Sequence, residues 1–204
     1  MSPRRSAGPV SRGSRLKGMF SSEASKAASA GQARRPASKI GQLPGARFPM
    51  SITDGYLLMR RSLSDPAPTA VLPEGTELVP LAAADAGRIH SLLQFSYAPG
   101  FGSVRPDALG WWEALVTDSE FDRNLCFVVK SGDRVVGFCL VWTSSFVKDF
   151  VVDGSFRRRG IGSAMLSKAI EAMRQRGAPE IALKVDMYNA TAQRLYAEFG
   201  FTTE

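Results

Sequence analysis

The chain has 204 residues, 44% of them hydrophobic, enough for one domain with a sizeable core plus an extension. No apolar run is long enough to span a bilayer, so a membrane-spanning role is not expected. The net charge of +7 does not point to nucleic acid: residues 1–49 hold ten Arg/Lys and one acid, Glu23, which leaves sixteen bases against eighteen acids in residues 50–204.

Residues 1–49 are rich in Ser, Ala, Gly, Arg and Pro ("SPRRSAGPVSRGSRLKG", "ASAGQARRPASK"). They offer too little apolar surface to offset their chain entropy and predict a disordered extension. Three readings of it are open. It is an Arg- and Ser-rich transit peptide directing the protein to an organelle, a basic arm for an acidic partner, or a leader without function. In the last case Met50, opening "MSITDGYLLMRRSL", is a natural start. No secretory apolar segment is present. Residues 50–75, which end in "PAPTAVLPEG", predict a linker, and residues 76–204 the folded domain.

Within the domain, "TELVPL" (76–81) predicts a short strand. "AADAGRIHSLLQFSY" follows with Ile89, Leu92, Leu93 and Tyr97 at helical spacing, stopped by Pro99–Gly100. "PDALGWWEALVTD" (106–118) predicts a second helix entered at Pro106–Asp107. "LCFVVK" and "RVVGFCLVWTS" are β-branched and aromatic runs joined by "SGD", a hairpin signal, and "FVKDFVV" (146–152) predicts a third strand. From Ile161 to Gln175 the apolar residues Ile161, Met165, Leu166, Ala169, Ile170 and Met173 make one helix face, closed by Gly177 with Pro179 beyond. "IALKV" (181–185) alternates like a half-buried strand. "NATAQRLYAEF" (189–199) predicts a helix with Ala192, Leu195, Tyr196 and Phe199 on one side, and "FTTE" starts another strand. This order predicts an α/β fold: a mixed, mostly antiparallel sheet with flanking helices, parallel only across the helix at 161–175.

Cys126 and Cys139 are the two cysteines; both lie in apolar strand runs without a CxxC, which predicts buried, reduced thiols and a cytoplasmic-type compartment. The single histidine, His90, has no cluster around it, so no metal site is expected.

"RRRGIG" (157–162) joins the third strand of the meander to the N-terminus of the helix at 161. A helix N-terminus presents unsatisfied N–H groups and the positive end of a dipole, and glycines let a ligand approach the backbone. Together they favour an anion, above all a pyrophosphate. The dinucleotide fingerprint lacks its third glycine, since Met165 stands there, and the Gly-Lys-Ser/Thr of a P-loop is absent. On spacing alone, a basic helix start with a tight turn is the favoured reading of the motif.

"FVVDGSFRRRGIGSAML" followed by "LKVDMYNATAQRLYAEFGF" resembles the acyl-CoA-binding core of the GNAT superfamily of N-acyltransferases, over roughly residues 76–204 and most closely over 146–201. The resemblance implies acetyl-CoA as co-substrate and a small-molecule or peptide amine as acceptor. It also implies roles for individual residues. The backbone of Phe150, Val151 and Val152 would pair with the pantetheine arm as an added strand would. The amides of Arg157, Arg158, Arg159, Gly160, Ile161, Gly162 and Ser163 would hold the pyrophosphate, the arginine side chains adding attraction for the ribose phosphate. Asn189 would touch the pantetheine or adenosine side, and Tyr196 would face the thioester sulfur as the acid for the leaving thiolate. Asp149, an acid in an apolar strand, is the candidate base, directly or through a water, with an ion pair to Lys148 or Arg134 as the alternative. Glu120 and Asp122 are weaker candidates for the same role. Trp111 and Trp112 lie where the family forms its acceptor pocket, with core packing expected for at least one.

Family sequences usually continue past "GF" with a pair of strands that closes the sheet. Here the chain stops at Glu204, which implies an unpaired edge. Either the product is shortened or another chain, a homodimer partner included, covers that edge. A non-catalytic acyl-CoA-binding or regulatory protein is therefore the alternative to an active N-acetyltransferase.

Overall fold

The computed structural model describes residues 55–100 and 102–203; the expectations for residues 1–49 and for a start at Met50 lie outside them. The strands are β1 (Tyr56–Ser62), β2 (Glu77–Val79), β3 (Cys126–Ser131), β4 (Arg134–Val141), β5 (Phe146–Val152), β6 (Glu180–Asp186) and the two-residue β7 (Thr202–Thr203). The helices are α1 (Ala86–Tyr97), α2 (Ala108–Val116), α3 (Ile161–Gln175) and α4 (Ala190–Glu198). They form one mixed sheet of order β2-β3-β4-β5-β6-β1-β7 with helices on both faces. All neighbours are antiparallel except β5 and β6, which the α3 crossover makes parallel.

Local chemistry sets the helix starts. The Asp107 carboxylate accepts from Gly110 N–H at 3.0 Å ahead of α2, and Asn189 Oδ1 accepts from Ala192 N–H at 3.1 Å ahead of α4. The periodic apolar faces then decide which side each helix covers. Ile161, Met165, Leu166, Ala169, Ile170 and Met173 of α3 pack with Tyr196 and Phe199 against Val129, Val136, Ile181 and Leu183. On the opposite face Ile89, Leu92 and Leu93 of α1, with Trp111 and Leu115 of α2, cover Val128, Phe138, Leu140 and Val151. Each fully buried Leu or Ile contributes roughly 1.5–3 kcal/mol. Cys126 and Cys139 are free and buried as expected; burial pushes the Cys126 thiol up to about 12 and raises Cys139 well above its ordinary value. His90 is a packing residue, its Nε2 at 2.7 Å from the Arg105 carbonyl and its ring 5.6 Å from Trp111.

The stretch expected to be a linker does more than link. Residues 56–62 form β1, paired with β6 along its whole length from Tyr56↔Asp186 to Ser62↔Glu180. The side of β6 expected to stand open is thus covered from within the chain, and β7 adds to the far side of β1 through Met59↔Thr203 and Arg60↔Thr202. Arg61 locks β1 in place. It is 7% exposed, and its guanidinium donates to four carbonyls: Phe199 at 2.7 Å, Ser62 at 3.1 Å, Asp65 at 3.1 Å and Pro66 at 3.0 Å. Arg61→Met keeps the stem but leaves these acceptors unmatched. It is expected to lower unfolding free energy by about 3 kcal/mol, read from the urea midpoint at unchanged slope. An unchanged midpoint would mean that water replaces the guanidinium without cost.

Two irregularities in the middle of the sheet prepare the site. Leu140 pairs with Asp149 but Val141 pairs with Val147, so Lys148 is an extra residue in β5. This bulge resets the alternation. Val147 packs under α3, whereas Asp149 and Val151, which follow it at even spacing, turn to the α1 side. The second irregularity is that β6 pairs with β5 only at Phe146↔Ala182 and Val147↔Leu183. Beyond Val147 the two parallel strands part.

Candidate active site

The hydrogen-bond parity of β5 determines what faces the parting strands. Asp153 N–H donates to Val136 O at 2.9 Å. In an antiparallel ladder bonded and non-bonded pairs alternate. Val151 opposite Phe138 and Asp149 opposite Leu140 therefore turn their backbone groups to β4, while Phe150 and Val152 turn theirs toward the gap. Of the three residues expected to offer backbone to a ligand, Phe150 and Val152 are so directed and Val151 is not. Val152 O already accepts from Arg157 Nε at 3.1 Å.

The gap opens toward the glycine turn. Arg158 and Gly160 have φ of 57° and 92°, and Gly160 is the residue from which α3 starts. The first hydrogen bond of the helix runs from Ala164 N–H to Gly160 O at 2.9 Å, so the amides of Ile161, Gly162 and Ser163 precede it. A Cβ on Gly162 would lie 3.3 Å from Leu195 Cδ2 and 3.8 Å from the Phe150 ring. The missing side chain thus lets α3 close on α4 and β5. The arginine side chains diverge: Arg157 turns to Val152 O, and Arg159 lies 5.1 Å from the centre of the Phe156 ring. Asn189 caps α4, with its amide nitrogen unused in that bond.

Tyr196 reaches the core from α4 and packs against Phe150. It is 5% exposed, with its ring 5.8 Å from Phe150 and 5.9 Å from Phe201. Burial, with Cys139 nearby, raises its pKa far above the ordinary tyrosine value, so the hydroxyl stays protonated. Its O–H makes no hydrogen bond among the described residues.

Asp149, 6% exposed, approaches from the α1 side. Tyr97 Oη donates to its Oδ1 at 2.7 Å, and Lys148 Nζ lies 3.8 Å from the same oxygen. Arg134, the other partner considered for it, pairs with Asp153 at 3.0 Å. Asp122 is occupied elsewhere: it accepts from Asn124 N–H at 2.8 Å and pairs with Arg176 at 2.5 Å, which lower its pKa in that order. Glu120 hydrogen-bonds Ser144 and borders a cleft of about 540 Å³ with Leu58, Arg60, Trp142, Phe146 and Glu180. Trp111 is buried in the core and Trp112 packs against it; the tryptophan at the cleft is Trp142. Sequence reading placed Tyr97 only on a helix face and did not single out Trp142, because neither belongs to a motif.

The Acetyltransferase (GNAT) family pattern matches residues 87–201. N-alpha-acetyltransferase 30 of Xenopus laevis is 30% identical over 89 residues, which are 40% of this chain and 33% of that protein. The ribosomal protein bS18-alanine N-acetyltransferase of Escherichia coli strain K12 is 28% identical over 100 residues, 48% of this chain and 68% of that one. Among solved structures, a GCN5-related N-acetyltransferase from Sphaerobacter thermophilus superposes with a TM-score of 0.61 at 21% identity, over 73% of this chain and 48% of that chain. At that identity the likeness shows the fold. The chain spans a third of the length of the Xenopus relative and about half of the Sphaerobacter chain.

Proposed function

The chain belongs to the GNAT acetyltransferase family, and we propose that it transfers an acetyl group from acetyl-CoA to a primary amine by direct attack on the thioester. The observation that carries this reading is the parting of β5 from β6, where the backbone of Phe150 and Val152 faces a gap leading to the amides at the start of α3. An extended pantetheine arm has the donors and acceptors to fill that gap as a strand would, and the pyrophosphate suits the helix start. Residues Arg157 to Ser163 hold it, chiefly through backbone N–H groups.

A substrate amine with pKa about 10 is mostly protonated at neutral pH, so a base must take its proton. Asp149 takes that role, directly or through a water. The backbone N–H at Val152 serves as the donor to the oxyanion of the attacked carbonyl. Tyr196, protonated because buried, donates to the departing sulfur. The names of the Xenopus and Escherichia coli relatives favour the α-amine of a peptide as acceptor over a small molecule.

The test is twofold. Saturating acetyl-CoA is expected to raise the melting temperature of the full chain, by about 2.7 kcal/mol of added stability at a hundred times Kd. Peptides with free N-termini, incubated with acetyl-CoA and the protein, are expected to gain an acetyl group by mass spectrometry. No thermal shift at millimolar acetyl-CoA would remove the cofactor reading. A shift without transfer to any peptide or small amine would leave a non-catalytic acyl-CoA-binding protein.

A further inference from the structure

We propose that Tyr97 is a positioning residue for the transfer reaction: its hydroxyl holds Oδ1 of Asp149, so that Oδ2 is the single oxygen presented to the incoming proton. This rests on the reading of Asp149 as the base.

Four observations carry it. Tyr97 Oη donates to Asp149 Oδ1 at 2.7 Å, and the Lys148 ammonium, at 3.8 Å, lies on the same oxygen. Oδ2 has no partner among the described residues. The bulge at Lys148 turns Asp149 to the α1 side, where Tyr97 is the last residue of α1. Finally, the Tyr97 ring is held in place. A Cβ on Gly102 would come within 2.7 Å of Tyr97 Cδ1 and 2.9 Å of Cε1, so the segment between α1 and α2 lies against the ring where only a glycine fits.

The electrostatics agree with the geometry. Burial first, then the Asp149 charge, raise the Tyr97 pKa far above the ordinary tyrosine value, so the hydroxyl remains a donor. The Phe150 N–H, one of the amides facing the gap, acts on the same oxygen, and Tyr196 is close enough to be felt there as well. Tyr97 thus holds the candidate base at the residue next to Phe150, whose backbone faces the gap. The other titratable groups felt at Asp149 are Lys148 on its own strand, Cys139 on β4 and Cys126 on β3, both thiols neutral. A carboxylate free to rotate would present either oxygen; one held by a phenol and an ammonium presents one, and misplacement of a reacting group by about 1 Å can cost ~10²-fold.

The full chain is compared as wild type, Tyr97→Phe, Gly102→Ala, Asp149→Asn and Tyr97→Phe/Asp149→Asn. Acetyl transfer to free-N-terminus peptides is followed against pH; acetyl-CoA hydrolysis by water supplies the same readout if no peptide is turned over. The acetyl-CoA thermal shift reports folding and cofactor binding. Tyr97→Phe is expected to keep the thermal shift and lower kcat about 10–100-fold with little change in KM. Gly102→Ala, which keeps the hydroxyl but displaces the ring, is expected to do the same. In the Asp149→Asn background the tyrosine change should add nothing. If Asp149→Asn is inactive while Tyr97→Phe and Gly102→Ala match wild type in kcat and KM, or if the two losses multiply, the positioning role falls and the base assignment stands. If Asp149→Asn keeps full activity, the base assignment falls and the inference with it.

Discussion

Gly160→Val is expected to abolish measurable acetyl-CoA binding, a loss of at least about 100-fold in affinity. Gly160 has φ of 92° and immediately precedes α3. A β-branched residue does not adopt that angle without strain, and relieving the strain turns the amides of Ile161 to Ser163 away from a common point. The environment is otherwise open: a Cβ there would meet only the Val71 carbonyl, at 3.7 Å. The variant should therefore fold, and calorimetric titration with CoA separates lost binding from lost structure. Arg158→Ala removes a charge but keeps the amide, and is expected to cost about 10-fold or less. Should the arginine change prove the more damaging, side-chain charge would be the binding principle, and the backbone account would fail.

Tyr196→Phe is expected to lower kcat by ~10²–10⁴ while leaving CoA affinity near wild type. The ring, with its contacts to Phe150 and Phe201, survives the change; only the O–H is lost. That O–H matters when the C–S bond breaks and sulfur gains charge, so the loss falls on the transition state. The loss should shrink with an acyl donor whose thiol is a better leaving group. Because its pKa is raised, Tyr196 stays protonated as pH rises, and it should contribute no alkaline fall in rate below the ordinary tyrosine range. A steady-state comparison on a peptide with a free N-terminus decides the matter: an unchanged kcat assigns Tyr196 to core packing.

These expectations were legible in the sequence to differing depths, for physical reasons. α3 could be read to the residue because its apolar periodicity is bounded by Gly160 and Gly177, both at positive φ. β5 was equally clear as a β-branched run. Its bulge was not, since one extra residue leaves no mark on a hydrophobic pattern and shows only in the pairing of Val141 with Val147. β1 escaped because "YLLMRRS" carries two arginines and is followed by a proline-rich stretch, while its partner lies far along the chain. Arg61 belongs to no motif, and only the fold shows that four distant or local carbonyls make it a buried fastener. Tyr97 looked like one more apolar position of α1, and its hydroxyl gained a meaning only once Asp149 was brought opposite it.

The strand that joins the sheet from the front of the chain has a kinetic consequence. Arg60 meets Glu180 across 120 residues, and Arg61 meets Phe199 across 138. Such pairings raise the contact order, and loop-closure entropy must be met before they stabilise anything. On the ribosome, β1 emerges early and stays without its partner until β6 and α4 have followed. The meander β2 to β5 with α3 can collapse in the meantime, but β6, once made, presents an edge that waits for a segment already made. Maturation of this domain is therefore gated by its two ends finding each other, and the interval before they do is when a bare strand is most open to pairing with the wrong chain.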